Sequence, residues 1–218
     1  GRLLDLSNRK ALNFSKFSTL VLDEFDRMLD MGFVHDVKRI ISDMSDRKQT
    51  MLFSATLDKT QQSLINRILL DHVTVKVSSG DRPGDLIEQD IIKLNAGEDK
   101  FLVLKDMLLQ DEFEKVLLFE ETKHRVSRLC TKLNKAGIAV DQIHGDKSQN
   151  ARQRALNAFK RGQVRVLVAT DVASRGLDIS DVSHVINYQV PQTHDSYIHR
   201  IGRTGRAGKV GKALTFVA

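Results

Sequence analysis

An α/β fold made of two parallel-sheet units is what this sequence predicts, and three observations predict it. Short apolar runs of strand length alternate throughout with stretches whose apolar residues recur at helical spacing. That is the pattern of parallel strands covered on both faces by helices. A cluster of small, polar and chain-breaking residues, Ser78-Ser79-Gly80-Asp81-Arg82-Pro83-Gly84-Asp85, interrupts the alternation once. After it the alternation starts afresh, and 218 residues with 41% hydrophobic content suffice for two cores. The expected organisation is a first unit over residues 1–80, a linker over 81–88 and a second unit over 89–218.

In the first unit, Thr19-Leu20-Val21-Leu22, Gln49–Phe53 and Val73–Val77 read as strands, being short and rich in apolar and β-branched residues. Between them Val34, Val37, Ile40, Ile41 and Met44 trace one helical face, and Leu64, Ile65, Ile68 and Leu69 trace another. In the second unit the predicted strands lie near Gln89–Leu94, Lys115–Phe119, Val140–Ile143, Arg165–Ala169, Val182–Asn187 and Lys212–Val217. Helices near 98–110, 122–136, 149–161 and 195–201 fill most of the gaps. No repeat of solenoid period and no low-complexity tract is present.

Composition narrows the function classes. The net charge of +6 makes a polyanionic partner plausible, although neither half is a polybasic patch. Aromatic residues are only 6% and do not cluster, which argues against a base-stacking platform. The one cysteine, Cys130, shares a helical stripe with Val126, Leu129 and Leu133 and reads as packing. A single thiol cannot close an internal disulfide, which fits a reducing compartment, so a cytoplasmic protein is expected. No apolar run approaches the roughly 18 residues of a membrane span, so no membrane partner is expected.

Open α/β sheets bind ligands beyond the carboxyl ends of their strands. Asp23-Glu24-Phe25-Asp26 follows the strand ending at Leu22, Ser54-Ala55-Thr56 follows Phe53, and Thr170-Asp171 follows Ala169. Three chemistry-bearing segments thus fall on the competent edge of their sheets, and two such edges facing each other would make a cleft. Asp23 and Glu24 would equally suit a helix start, where carboxylates meet the positive end of the macrodipole. The stretch Tyr197-Ile198-His199-Arg200-Ile201-Gly202-Arg203-Thr204-Gly205-Arg206 repeats arginine every three residues, with glycine before two of them. Because glycine inside a helix costs about 1 kcal/mol relative to alanine, the segment reads as shaped to bring charge and backbone close to a large anion such as a nucleoside triphosphate.

Together with Val166–Asp178, these segments resemble the DEAD-box family of ATP-dependent RNA helicases over nearly the whole chain, with Phe25 where alanine is usual. The resemblance implies two RecA-like domains, ATP and Mg2+ as cofactors, and RNA bound through its backbone without sequence readout. It implies a metal-side role for Asp23, together with Glu24, which would also orient or deprotonate the attacking water. Arg203 and Arg206 become arginine fingers on the γ-phosphate, and Asp178 meets the ribose. Asp26, Ser54, Thr56 and His199 couple the domains, while Arg200 pairs with carboxylates across the cleft. RNA contacts fall to Gly1, Arg2, Gly145, Gln149, Arg152, Thr170 and Arg175. The intact protein is expected to act without oligomerising.

One element of that chemistry has no counterpart. A phosphate-cradling G-x-x-x-x-G-K-[ST] loop occurs nowhere in the chain: Gly208-Lys209 and Gly211-Lys212 are followed by Val210 and Ala213 where a hydroxyl is required. In the family that loop lies upstream of the segment matching Gly1. The expectation is a fragment that begins late in the first domain and does not hydrolyse ATP by itself. The alternative is a non-catalytic RNA-binding or partner-docking piece.

Overall fold

The computed structural model describes residues 1–54, 59–69, 71–76, 86–174, 177, 179, 182–205 and 208–217. The chain divides into two compact units, Gly1–Val77 and Ser78–Ala218.

The first unit runs α1 (Arg2–Asn8), a 3-10 turn (Phe14–Lys16), β1 (Thr19–Leu22), α2 (Phe25–Asp30), α3 (Val34–Asp43), β2 (Gln49–Leu52) and α4 (Lys59–Ile68). β1 and β2 pair in parallel, from Thr19 opposite Gln49 to Leu22 opposite Leu52. The core under this pair is Leu22, Phe25, Val37, Ile65 and Ile68, with Leu4, Phe14 and Met44 forming a smaller cluster. The third expected strand is not there: residues 73–76 have no strand structure, and Val73 and Val75 are 87% and 78% exposed. Valines favour a pleated surface only when a neighbouring strand supplies hydrogen bonds and packing. Val77 lies outside the described residues.

The second unit runs β3 (Ile87–Lys93), α5 (Lys100–Leu108), β4 (Val116–Phe119), α6 (Lys123–Lys135), β5 (Val140–Ile143), α7 (Gln149–Lys160), β6 (Val166–Ala169), α8 (Asp171–Ser174), β7 (His184–Asn187), α9 (His194–Ile201) and β8 (Gly211–Val217). Among the described residues six strands form one sheet in the order β3-β8-β7-β4-β6-β5, every neighbouring pair parallel. Ile87 and Glu88, expected at the end of a linker, already belong to β3.

Local chemistry explains why the helices start where they do. Asp99, Thr122, Ser148 and Thr193 each cap the following helix by accepting a backbone N–H at Phe101, Arg125, Ala151 and Ser196. The central strands β4, β6 and β7 are buried along their whole length, as strands covered on both faces must be. One layer of core gathers Leu104, Leu108, Leu118, Val126, Leu133, Val168 and Phe216, the other Leu117, Phe119, Leu156, Phe159, Leu167 and Val185. β4 lies between β6 and β7, which places the sheet's switch of direction at the carboxyl ends of these three strands.

Candidate functional site

In the first unit, the turn after β1 carries the acidic residues. Asp23 is exposed and its Oδ1 accepts the Glu24 backbone N–H at 2.9 Å. Glu24 has a positive φ of 49°, a left-handed conformation that a residue with a Cβ adopts at a cost of order 1–3 kcal/mol. Two hydrogen bonds hold the turn against the end of β2: Phe25 N–H donates to the Phe53 carbonyl at 3.0 Å, and Asp26 N–H to Ser54 Oγ at 3.2 Å. Beneath them Phe25 is 1% exposed and packs into the core. Acid turn and serine motif are therefore one mechanical piece. Asp23, with one carboxylate oxygen engaged by backbone, suits a hard cation held through water, which requires only one or two carboxylates. Thr56 lies outside the described residues.

In the second unit, the arginine segment is anchored at the sheet's switch point. Arg200 is 4% exposed. Its Nε and Nη2 form a fork on Asp171 Oδ1 and Oδ2 at 2.7 and 2.8 Å, and Nη1 donates to Asn187 Oδ1 at 3.1 Å and the Gln189 carbonyl at 2.9 Å. Its guanidinium also lies 5.0 Å from the Phe119 ring centre. Arg200 was expected to meet carboxylates across a cleft; the carboxylate it meets is Asp171 of its own unit. The planar fork matches a carboxylate in two bonds, and burial makes that pairing decisive for where α9 sits.

The glycines of the segment have a more local reason than closeness to an anion. Gly205 has a φ of 67°, and a Cβ there would lie 2.5 Å from Ile87 Cγ1 of β3. A Cβ on Gly202 would sit 3.1 Å from the Ile198 carbonyl. Backbone geometry and packing within the unit account for Gly205; at Gly202 a Cβ would be tight, but the backbone conformation is ordinary, with a φ of −63°. Thr204, between them, is 1% exposed and donates to the Val182 carbonyl, fixing the segment to the strand entry of β7. Arg203, partly exposed, donates from Nη1 to the Leu177 carbonyl at 3.1 Å. His199 is half-buried on α9. Arg206 and Asp178 lie outside the described residues.

A second group gathers at the neighbouring ends of β5 and β6, where Ile143 is in register with Ala169. Gly145 is exposed in the turn leading to α7, Gln149 opens that helix, and Thr170 N–H donates to the Ile143 carbonyl at 3.3 Å. Arg152 donates to the Ala173 carbonyl at 2.7 Å and to Gln149 Oε1 at 3.3 Å, so it ties α7 to the end of α8. Exposed backbone, a helix N-terminus and a guanidinium on one edge suit a phosphate-rich strand. Arg175 lies outside the described residues. Arg2, in the first unit, is exposed and paired with Asp5 at 3.1 Å; Gly1 precedes it as the N-cap of α1.

Comparison with known proteins decides the family. Residues 99–208 match the family described as Helicase conserved C-terminal domain, and residues 1–64 match DEAD/DEAH box helicase. The chain is 45% identical over 218 residues to the DEAD-box ATP-dependent RNA helicase CshA of Streptococcus pneumoniae, covering 100% of this chain and 41% of that protein. The chain belongs to the DEAD-box ATP-dependent RNA helicases. The CshA of Bacillus subtilis is likewise 45% identical, over 100% of this chain and 44% of its own length. The structure of Saccharomyces cerevisiae Dbp5 bound to RNA and ADP BeF3 matches with a TM-score of 0.83 at 33% identity, covering 99% of this chain and 57% of that one. The chain thus spans about two fifths of the CshA length. The six-strand parallel sheet and these neighbours give the chain the RecA-like fold of this ATP-hydrolysing family.

In a DEAD-box chain, Phe25 replaces the alanine of the name-giving motif while the three carboxylates around it stay in place. Two residues of the site were not singled out from the sequence. Asp171 sat inside a quoted motif, but its role as the Arg200 partner depends on a separation of 29 residues. Asn187 is fully buried and bridges Arg200 to Thr215 Oγ1 at 3.0 Å; a polar residue closing an apolar strand run was its only signal.

Proposed function

We propose that this chain carries the acid and arginine walls of an RNA-stimulated ATPase that unwinds short duplexes when its two units close on ATP. The observation that carries the reading is the way each wall is built: Asp23 and Glu24 on a turn stapled to Ser54, and Arg203 on a segment held by the Arg200–Asp171 fork. Phosphoryl transfer asks mainly for positioned positive charge and an oriented nucleophile, which two rigid walls supply.

Glu24 orients the attacking water and accepts its proton, while Asp23, with Glu24 beside it, would hold Mg2+. When bound, that ion would supply positive charge against the phosphate. Arg203 and Arg206 reach the γ-phosphate, and Asp178 the ribose. Asp26, Ser54, Thr56 and His199 transmit closure between the units. Arg200 acts one step back, by setting the position of Arg203. Gly1, Arg2, Gly145, Gln149, Arg152, Thr170 and Arg175 bind RNA phosphate and sugar, giving sequence-independent recognition. A cytoplasmic, monomeric protein goes with this reading.

The 218-residue chain alone neither binds ATP tightly nor turns it over, because it has no phosphate-cradling loop. Joined to the loop-bearing segment of a DEAD-box relative, it hydrolyses ATP in response to RNA. Competition between ribo- and deoxyribo-oligonucleotides of one sequence tests the substrate class: stimulation by the ribo-form alone is expected. Equal stimulation by both, or turnover by the unjoined chain, contradicts the proposal.

A further inference from the structure

A polar pair is buried between two strands of the second unit. Asn187 closes β7 and is in register with Thr215 of β8. Asn187 is fully buried and Thr215 is 9% exposed, although the strand residues beside them, Ile186, Leu214 and Phe216, are all core. Asn187 Nδ2 donates to Thr215 Oγ1 at 3.0 Å, and Asn187 Oδ1 accepts from Arg200 Nη1 at 3.1 Å. The guanidinium dictates that orientation of the amide: it has donors and no acceptor, so only the carbonyl oxygen can face it.

Stability alone gives no reason for the pair. Replacing both members of a buried hydrogen-bonded pair by apolar groups of the same shape is nearly neutral or stabilising. What an apolar pair would lack is the oxygen aimed at Arg200.

That oxygen constrains what the fork leaves loose. Two bonds to Asp171 hold the Nε and Nη2 side of the guanidinium, about which its plane can still tilt. Nη1, the remaining corner, is held by the Asn187 side chain and the Gln189 carbonyl, both at the end of β7. With Arg200 only 4% exposed, an Nη1 proton that loses its acceptor is left buried and unsatisfied. A shift of Arg200 reaches Arg203 through the backbone, because Arg203 N–H donates to the Arg200 carbonyl at 3.2 Å.

We propose that Asn187, held in turn by Thr215, is a positioning residue for ATP hydrolysis: it sets the tilt of the Arg200 guanidinium and, through the end of α9, the place of Arg203. Being buried, neither Asn187 nor Thr215 touches ATP or RNA. The inference rests on the role given to Arg203 above.

Asn187→Leu combined with Thr215→Val tests it, with Asn187→Asp, which keeps an acceptor toward Arg200, as the conservative variant. In the 218-residue chain the Arg200 guanidinium protons are followed by NMR. Faster exchange with solvent is expected in the apolar pair, and exchange near the parent's in Asn187→Asp. In the chain joined to a loop-bearing segment, RNA-stimulated turnover should fall about tenfold or more in the apolar pair, with the nucleotide dissociation constant within about threefold of the parent. Asn187→Asp should recover most of that turnover, which a pair that merely fills space would not require. If the apolar pair does not fold, Thr215→Val alone takes its place, with changes of the same sign. Unchanged Arg200 protons, turnover kept in the apolar pair, a parallel loss of nucleotide affinity, or turnover no better in Asn187→Asp overturns the proposal. A joined parent without RNA-stimulated turnover sinks the function proposed above instead, while the guanidinium protons still judge what holds Arg200.

Discussion

Arg200 and Asp171 meet through two nearly equal bonds, 2.7 and 2.8 Å, inside the second unit, with the arginine 4% exposed. The fork joins the helix that precedes Arg203 to the short helix that follows β6. Removing one partner leaves a buried charge without compensation. Arg200→Lys keeps the charge but loses the fork, and Asp171→Asn loses the charge. Each should destabilise the unit by roughly 2–4 kcal/mol, the asparagine partly relieved because Asp171 is 28% exposed. Urea unfolding curves check this; an unchanged midpoint would mean that the fork does not anchor the arginine segment.

Phe25 is the larger side chain at a position where the family has alanine, and it is 1% exposed in the core with Leu22, Val37, Ile65 and Ile68. Restoring the family residue by Phe25→Ala should therefore destabilise the first unit, by about 3 kcal/mol. Hydrogen exchange of the amides in β1 and α3 is the direct readout. Protection equal to the parent would show that the cavity collapses without cost.

Gly205→Ala should cost the second unit roughly 1–3 kcal/mol even without nucleotide, since its Cβ would lie 2.5 Å from Ile87 Cγ1 at a φ of 67°. Thermal unfolding in nucleotide-free buffer measures this. A variant that unfolds normally yet loses nucleotide affinity would instead support the anion reading of this glycine.

His144 and His184 both have pKa values held below the ordinary 6.5, burial being the main cause in each. A depressed folded pKa means that the unfolded chain binds protons first as pH falls. The stability gained from keeping these rings neutral is complete above 6.5, and is lost as pH drops from there through the folded values. The second unit should unfold at lower urea near pH 5.5 than near pH 7.5, and His184→Gln should flatten that dependence. Stability that rises on acidification would reverse the sign of the account.

Much of the second unit was legible because its strands are buried on both faces. Val116–Phe119 and Val166–Ala169 are unbroken apolar runs with every residue buried, so length and composition alone mark them. The helices near 122–136 and 149–161 were legible from their apolar spacing, and the structure adds the side-chain caps Thr122 and Ser148. Val73–Lys76 misled because β-propensity records fit to a neighbouring strand, and among the described residues they pair with none. The partner of Arg200 and the purpose of Gly205 were hidden for a common reason: both depend on contacts between segments far apart in sequence, which periodicity cannot register. The acid turn was legible as a motif, but its stapling to Ser54 is a product of the β1–β2 register.

The proposed function requires acids from one unit and an arginine from the other to act on the same triphosphate. Its most direct test is ATP turnover and nucleotide affinity of Arg203→Ala, measured with RNA in the chain joined to a phosphate-binding-loop segment of a DEAD-box relative. An arginine that acts mainly in the transition state predicts turnover reduced by roughly 10³ or more with nucleotide affinity within a few-fold of the parent. A dissociation constant raised about a hundredfold in parallel, or turnover left intact, would contradict it.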